Sequence, residues 1–220
     1  MKKIAFVSDF DGTITKKDFF QMAADELLDK TAMAPWYDYK AGRITHVEAL
    51  SKIFAQIHIP QAQMDAFIAS IEVDTFFHKT MAFCSKVKMP VYICSAGTEY
   101  YINKRIAKEV KEYNITLLSN GGDYSPKSGL ILTPPPPTSP FYNKDTGISK
   151  EALVAKLQKD GYYTVYAGDG PPDIKAAKIA NAVFARRTLL KMCQEANIKT
   201  LKFDSFKDIL DYFRGIYGQE

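Results

Sequence analysis

Two carboxylates stand one residue apart directly after the first apolar run of the chain. Residues 7–13 read VSDFDGT, and the run before them, Ile4–Val7, shows no polar alternation. Such a run is typical of a strand that is covered on both faces in a parallel sheet, where sites gather at the carboxyl ends of the strands. We therefore expect Asp9 and Asp11 at such an end, with Gly12 allowing the chain to turn after them.

Paired carboxylates at that position favour a phosphate and Mg²⁺ site. One carboxylate can attack a phosphoryl group to form an aspartyl-phosphate, while the second protonates the leaving oxygen and later activates water. Mg²⁺ offsets the repulsion between the anionic nucleophile and the anionic phosphate. The motif alone is also compatible with a simple turn that ends a strand, and a metal-dependent glycosyltransferase also uses paired aspartates. A calcium loop has more carboxylates and a distal Glu, which this segment lacks.

A hydroxyl-bearing turn follows the second apolar run. Ser95–Thr98 comes directly after Val91–Cys94, and a helix-like pattern begins at Glu99. A strand-to-helix turn with a hydroxyl and backbone N–H groups binds phosphate oxygens well. Ser95 and Thr98 could instead only cap the helix. The position at a second strand end favours phosphate binding.

A lysine opens the helical pattern Glu151–Lys159. Ser149 is placed as the N-cap, and Lys150 lies in the first turn, where a cation opposes the helix dipole. A surface lysine tolerates that position, but the unfavourable charge is offset if Lys150 faces a phosphate and carboxylates.

A second acidic motif follows the strand-like Tyr163–Tyr166. Residues 167–173 read AGDGPPD, and Asp169 between two glycines is placed to complete a metal site. The prolines suit the start of a helix, where Asp173 in the first turn has a favourable charge. Asp173 is therefore expected either in the site or only as a helix-terminal charge.

Short apolar runs predict the central strands that position these motifs: Ile4–Val7, Val91–Cys94, Tyr163–Ala167 and Ala182–Ala185. A turn and a helix-like stretch follow each of them, which predicts an α/β sandwich with a parallel sheet. The sequence also predicts a small β-hairpin, in which Asn120–Asp123 separates Ile115–Ser119 from Leu130–Thr133.

A long helical stretch separates the first two predicted strands. From about Lys16 to Lys88 the spacing is helical, with breaks at Pro35, Gly42 and Pro60. Because this stretch is too long for an ordinary crossover, we predict a helical cap over residues 16–75 and a catalytic core over residues 1–15 and 76–220.

The composition argues against several classes of protein. The 220 residues include 29 basic and 25 acidic side chains, a net charge of +4, and the lysines are scattered, so nucleic acid is not an expected partner. No segment has the roughly 18 apolar residues of a membrane span, and the amino terminus lacks the apolar region of a signal peptide, so we expect a cytoplasmic protein with no membrane partner. Cys84, Cys94 and Cys193 lack metal-ligand spacing and are expected as reduced, buried thiols.

With these four motifs in this order, the chain resembles the haloacid dehalogenase-like phosphatase superfamily over nearly its whole length. The resemblance implies a Rossmann-like three-layer α/β/α core with a central parallel sheet, a small helical cap inserted after the first strand and a small β-hairpin insert. It also implies a Mg²⁺-dependent phosphomonoester hydrolase that acts on a small phosphorylated metabolite, with Asp9 as nucleophile and Asp11 as general acid and base.

The same resemblance assigns the other roles. The phosphate ligands would be Ser95, the backbone N–H of Ala96, and Lys150. The metal ligands would be Asp9, the carbonyl of Asp11, and Asp169. Asp173 would orient these ligands without being one of them.

Within the superfamily, the early helical insert and the Ser-Ala-Gly turn are similar to the phosphoserine phosphatase group, and closest to its methionine-salvage branch. That likeness implies the enol phosphate of methionine salvage as substrate. Phosphoserine phosphatases have a cap arginine and a glutamate where this chain has Lys52 and Asp18, which disfavours phosphoserine. A phosphoserine phosphatase, a phosphotransferase or mutase, and a non-catalytic phosphate-ligand sensor remain open alternatives, and the sequence does not predict an oligomeric state.

The predicted cap is rich in aromatic residues, which either line an apolar pocket or pack a small core: Phe19, Phe20, Trp36, Tyr37, Tyr39 and Phe54. His46, His58 and His78 show no metal-ligand spacing, so we expect them in surface or packing positions.

Overall fold

A mostly parallel seven-stranded sheet organises the computed structural model, which describes residues 3–218. The order across the sheet is β4-β3-β2-β1-β7-β8-β9, and only β3 and β4 pair antiparallel. The sheet strands are β1 (Ile4–Ser8), β2 (Val91–Thr98), β3 (Thr116–Ser125), β4 (Gly129–Thr133), β7 (Tyr163–Gly168), β8 (Ala182–Ala185) and β9 (Leu201–Lys202). A separate small ladder joins β5 (Tyr142–Asn143) to β6 (Gly147–Ile148).

Helices connect these strands. Those between β1 and β2 are α1 (Phe19–Glu26), α2 (Ala34–Lys40), α3 (His46–Phe54), α4 (Gln61–Ser70) and α5 (Phe77–Lys86), with a 3₁₀ turn at Lys30–Met33. The later ones are α6 (Glu99–Glu112), α7 (Lys150–Lys159), α8 (Ile174–Ile179), α9 (Arg187–Glu195) and α10 (Phe206–Tyr217), with a 3₁₀ turn at Pro171–Asp173.

Both faces of the central strand β1 are covered by helices. Phe6 packs edge-on against Phe213 of α10, with 5.3 Å between the ring centroids. Val7 points to the opposite face, where it belongs to one apolar cluster with Leu157 of α7. Because successive strand residues face opposite sides, this arrangement makes a three-layer α/β fold and confirms the predicted fold class.

The helices α1–α4 lie in the chain where the sequence predicts the cap. Their apolar side chains share a continuous core with the sheet, since Phe19 and Phe54 belong to the same cluster as Phe6. The boundaries at residues 16 and 75 stay a prediction. Within residues 3–218 no helix is both long and apolar enough to cross a membrane, and all three cysteines are buried and unpaired, as predicted.

The predicted position of the hairpin turn is wrong. Strand β3 continues through Asn120–Asp123 and pairs with β4, with Gly121 opposite Thr133, so the turn lies at residues 126–128. A Cβ on Gly122 would lie only 2.7 Å from the side chain of Thr98. The glycine therefore permits close packing beside β2 within a strand rather than a change of chain direction.

Candidate active site

The first carboxylate motif lies at the carboxyl end of β1, as the sequence predicts. The backbone N–H of Asp9 donates to the carbonyl of Ala167 in β7 at 2.9 Å, so the start of the loop is still held by the sheet. Gly12 then turns with φ +70°, and a Cβ there would lie 2.4 Å from Oδ2 of Asp169. Only glycine combines that backbone conformation with so close an approach to the second acidic loop.

Lys150 links two of the predicted site carboxylates. Its Nζ donates to Oδ1 of Asp9 at 2.7 Å and to Oδ1 of Asp173 at 2.5 Å, and all three side chains are less than one-tenth exposed. Ser149 accepts from the N–H of Ala152 at 3.1 Å, which is the predicted N-cap of α7. The cap fixes the first turn of the helix, and Lys150 faces the carboxylates rather than the solvent.

Asp173 is held by several protein donors. Besides Lys150, the hydroxyl of Tyr166 donates to Oδ1 at 2.6 Å, and the N–H groups of Asp169 and Gly170 donate to Oδ2 at 3.0 and 2.9 Å. Both carboxylate oxygens are therefore engaged, and the residue fixes the loop that carries Asp169.

Asp11 has different neighbours from those of Asp9. Its Oδ1 accepts from the backbone N–H of Phe19, the first residue of α1, at 3.0 Å, and its Oδ2 accepts from the hydroxyl of Tyr101 at 2.5 Å. The hydroxyl of Ser95 lies 3.5 Å from the same Oδ2. Burial raises the pKa of Asp11 to about 6, although these hydrogen bonds oppose the shift.

The predicted phosphate turn is tied to the loop before Lys150. Ser95 is buried, and its Oγ accepts from the N–H of Gly97 at 3.0 Å. The side-chain amide of Asn120 donates to the carbonyl of Ala96 at 2.8 Å and to the carbonyl of Thr146 at 3.1 Å. Ser95 and Ala96 lie in the last part of β2 rather than in a turn that follows it. Asn120 thus joins the end of this strand to the loop before Lys150.

Burial and mutual repulsion raise the pKa values of two carboxylates in this cluster, Asp9 and Asp169. Burial raises the pKa of Asp9. Lys150 opposes this increase, whereas the carboxylates of Asp173 and Asp169 add to it. Burial, followed by the Asp173 charge, raises the pKa of Asp169 to about 7. Burial disfavours the charged form of Lys150, but Asp173 and Asp9 outweigh it, so the pKa is raised and the ammonium is retained.

The same carboxylates fit a divalent cation. Asp9, Asp169 and Asp173 each offer an oxygen, and these oxygens lie within 4.8 Å of one another. Carboxylate oxygens are the ligands that Mg²⁺ prefers, and a cation relieves the repulsion among them. The donor set therefore suits the predicted metal.

A cavity of about 520 Å³ opens above these groups. All seven predicted site residues line it: Asp9, Asp11, Ser95, Ala96, Lys150, Asp169 and Asp173. Its wall also contains four of the six predicted cap aromatics, namely Phe20, Trp36, Tyr39 and Phe54. Tyr37, by contrast, is 60% exposed, and Phe19 stacks on Tyr101 at 4.0 Å.

Three residues of this region were not singled out as site residues from the sequence. Tyr101 binds Asp11, and Arg187 donates to Oδ2 of Asp169 at 3.1 Å. His46 lines the cavity and is only 6% exposed, so it has no surface role. Tyr101 lies in the first turn of the helix that the sequence predicts from Glu99. The sequence does not predict, however, which way this side chain points.

Similarity to known proteins extends over nearly the whole chain, although no protein-family model matches it. A 2-hydroxy-3-keto-5-methylthiopentenyl-1-phosphate phosphatase from Geobacillus thermodenitrificans is 27% identical over 215 residues, which cover 97% of this chain and 96% of the relative. A phosphatase of the same name from Bacillus cereus is 26% identical over 203 residues, 91% of each chain.

Solved structures show the same fold. A substrate-bound phosphoserine phosphatase matches with a TM-score of 0.68 at 18% identity, covering 96% of this chain and 99% of that one. A HAD-family hydrolase from Salmonella enterica serovar Typhi matches with a TM-score of 0.72 at 15% identity, covering 95% and 70%. These relatives favour neither the transferase nor the sensor alternative. Over nearly its whole length the chain is thus similar to haloacid dehalogenase-like phosphatases, and these relatives support a phosphoric monoester hydrolase.

Proposed function

We propose that this phosphatase cleaves the ester of a small phosphorylated metabolite through a phosphorylated Asp9. The observation that carries the proposal is the buried contact of Asp9 with Lys150 at the floor of the cavity. Phosphoryl transfer depends mainly on positioning and on neutralising charge. A carboxylate held by an ammonium group at the end of a strand supports both requirements.

Asp9 and Asp11 divide the chemistry between them. A carboxylate oxygen of Asp9 attacks phosphorus, and the bond to the ester oxygen breaks while Asp11 gives its proton to that oxygen. Ser95 and the N–H of Ala96 hold phosphate oxygens, and Lys150 offsets the charge that is transferred. Water then attacks the phosphorus of phospho-Asp9 and gives a proton to Asp11, which releases phosphate and restores both carboxyl groups.

The residues that would hold Mg²⁺ are Asp9, the carbonyl of Asp11, and Asp169. When bound, Mg²⁺ supplies positive charge that offsets the repulsion between Asp9 and the phosphate. Asp173 is proposed to orient these groups, because both of its oxygens already accept hydrogen bonds from the protein.

The proposed substrate is the methionine-salvage ester named for the relatives. As that name states, it carries hydroxy, keto and methylthio groups beside one phosphate, so its leaving group is uncharged. The apolar wall that Trp36 and Tyr39 contribute suits such a group. Lys52, which stands where phosphoserine phosphatases have their cap arginine, is exposed and outside the cavity wall. We propose that residues 16–75 act as a cap that closes on the leaving group; the cytoplasmic location stays a prediction.

Phosphate release from a panel of small esters tests this function. The panel contains the methionine-salvage ester and phosphoserine, each with Mg²⁺ or with EDTA. We expect turnover that needs Mg²⁺ and is lost in Asp9→Asn, whereas Asp160→Asn, a change in an exposed ion pair with Lys156, serves as the matched control. Turnover that persists in Asp9→Asn contradicts the proposed nucleophile, and a better rate with phosphoserine contradicts the proposed substrate.

A further inference from the structure

His46 is a buried polar residue on the cavity wall with an unpaired ring nitrogen. It is 6% exposed, and its enclosed Nδ1 has no hydrogen-bond partner within the described part of the chain. The other two histidines are exposed and paired, His58 with the carbonyl of Pro126 and His78 with the hydroxyl of Tyr113. Because an unpaired buried polar group costs free energy, the position of His46 calls for a partner that the protein itself does not supply.

The backbone of His46 is fixed relative to the loop that precedes Lys150. It is the first residue of α3, whose N-terminus has a capping box between Thr45 and Glu48. The N–H of His46 donates to Oδ1 of Asp145 at 3.2 Å, and the N–H of Val47 donates to the carbonyl of Asp145 at 2.8 Å. Asp145 lies in the loop that leads to Lys150, so these contacts hold the start of α3 at a defined place relative to that loop.

Aromatic rings surround the imidazole. Trp36 and Tyr39 contact it edge to face, with centroid distances of 5.7 and 5.2 Å, and Phe20 packs on Trp36 at 4.2 Å. Burial, and next the charge of Lys150, lower the pKa of His46 to about 4, which leaves the ring neutral near pH 7. A neutral imidazole offers one donor and one acceptor, here within an apolar wall.

We propose that His46 hydrogen-bonds an uncharged oxygen, a hydroxyl or a carbonyl, on the leaving group of the substrate, while Trp36 and Tyr39 cover the carbon chain that bears it. This assignment rests on the proposed phosphatase function and deepens it, because it names the class of leaving group that the site selects. His46 is thus a specificity-determining residue that separates hydroxyalkyl and oxoalkyl esters from plain alkyl esters.

A pair of substrates that differ in one oxygen tests the assignment. Butyl phosphate and 2-oxobutyl phosphate are compared in the wild type, His46→Leu and His46→Gln, with His58→Leu as the matched control on the surface. The quantity measured is the ratio of kcat/KM for the oxo ester to that for the alkyl ester. Dividing each variant's ratio by that of the wild type cancels the intrinsic reactivities of the esters. It also cancels any loss of folded protein.

We expect His46→Leu to lower this ratio by about 10-fold, the effect of one hydrogen bond. The loss should appear mainly as a higher KM for the oxo ester, with a smaller change in kcat. His46→Gln, which keeps a donor and an acceptor, should retain part of the preference, and His58→Leu should match the wild type.

An unchanged ratio in His46→Leu, with both esters turned over, overturns the assignment while leaving the phosphatase function intact; that result means that the imidazole only packs against Trp36 and Tyr39. Turnover of neither ester by the wild type overturns the proposed function and this assignment with it.

Discussion

Replacing Lys150 with methionine should destabilise the fold by far more than a surface ion pair contributes. Its Nζ lies 2.7 Å from Asp9 and 2.5 Å from Asp173, and the side chains are 4%, 8% and 1% exposed. Removing the cation leaves two carboxylates buried without a counter-charge, which costs about 3–5 kcal/mol. In a chain of 220 residues, this corresponds to a fall in Tm of about 6–20 °C.

Urea denaturation and thermal melts in EDTA measure this loss, because EDTA removes a metal that could replace the missing charge. Lys156→Met is the matched control in the same helix, since the ion pair of Lys156 with Asp160 is 56% and 42% exposed. We expect the control to cost less than about 1 kcal/mol.

A double-mutant cycle separates the electrostatic effect from the loss of lysine packing. Asp173→Asn removes one of the two stranded charges, so the double variant with Lys150→Met should be more stable than the sum of the single changes predicts, by about 1–3 kcal/mol. The reasoning is refuted if Lys150→Met costs no more than Lys156→Met, or if the two single effects simply add.

Other predictions concern the loop after β1, the partner of Asp11 and the buried histidine. Gly12→Ala should weaken Mg²⁺ binding by at least about 10-fold in a calorimetric titration, because its Cβ would press on Asp169; an unchanged Kd would show that the loop accommodates the methyl group. Tyr101→Phe removes the hydroxyl that donates to Asp11, and kcat/KM should fall by about 10- to 100-fold while Tm changes little; unaltered kinetics would exclude a role for this bond. The pKa of His46 falls from 6.5 to about 4 on folding, so the unfolded chain binds more protons than the folded chain between these pH values. The free energy of unfolding should therefore decrease as the pH falls from about 6.5 towards 4, by up to about 3 kcal/mol. Urea melts of the wild type and His46→Gln between pH 7 and 4.5 measure this difference, and parallel pH profiles would contradict it.

The sequence predicts the sheet and the place of the site because both depend on local patterns. The run Ile4–Val7 lies in a strand that is covered on both faces, and continuous apolar sequence is the signature of such a strand. Once the strands are known to be parallel, their carboxyl ends meet at one edge. The sequence therefore indicates that Asp9 and Asp169 converge, although 160 positions separate them.

The misplaced hairpin turn and the cavity wall depend on contacts between distant segments. Gly122 has the composition of a turn, but it pairs with Leu132 inside β3, where the side chain of Thr98 occupies the space that a Cβ would need. Likewise, the sequence around His46 shows an amphipathic helix and no ligand spacing. Its burial follows from packing against Trp36 and Tyr39, which no periodicity within α3 encodes.

The fold also offers a physical basis for the different roles that we propose for Asp9 and Asp11, two aspartates separated by one position. Asp9 contacts the ammonium group of Lys150, which favours its carboxylate form, the form that a nucleophile needs. Asp11 contacts neutral donors, the N–H of Phe19 and the hydroxyl of Tyr101, and burial raises its pKa to about 6, so its protonated form is accessible near neutral pH. One donor to Asp11 comes from α1 and the other from α6. The protonation of Asp11 therefore depends on how the predicted cap packs on the core. Changes at Phe19 or Tyr101 should therefore affect leaving-group protonation, which is rate-limiting for esters with poor leaving groups, more than the attack by Asp9.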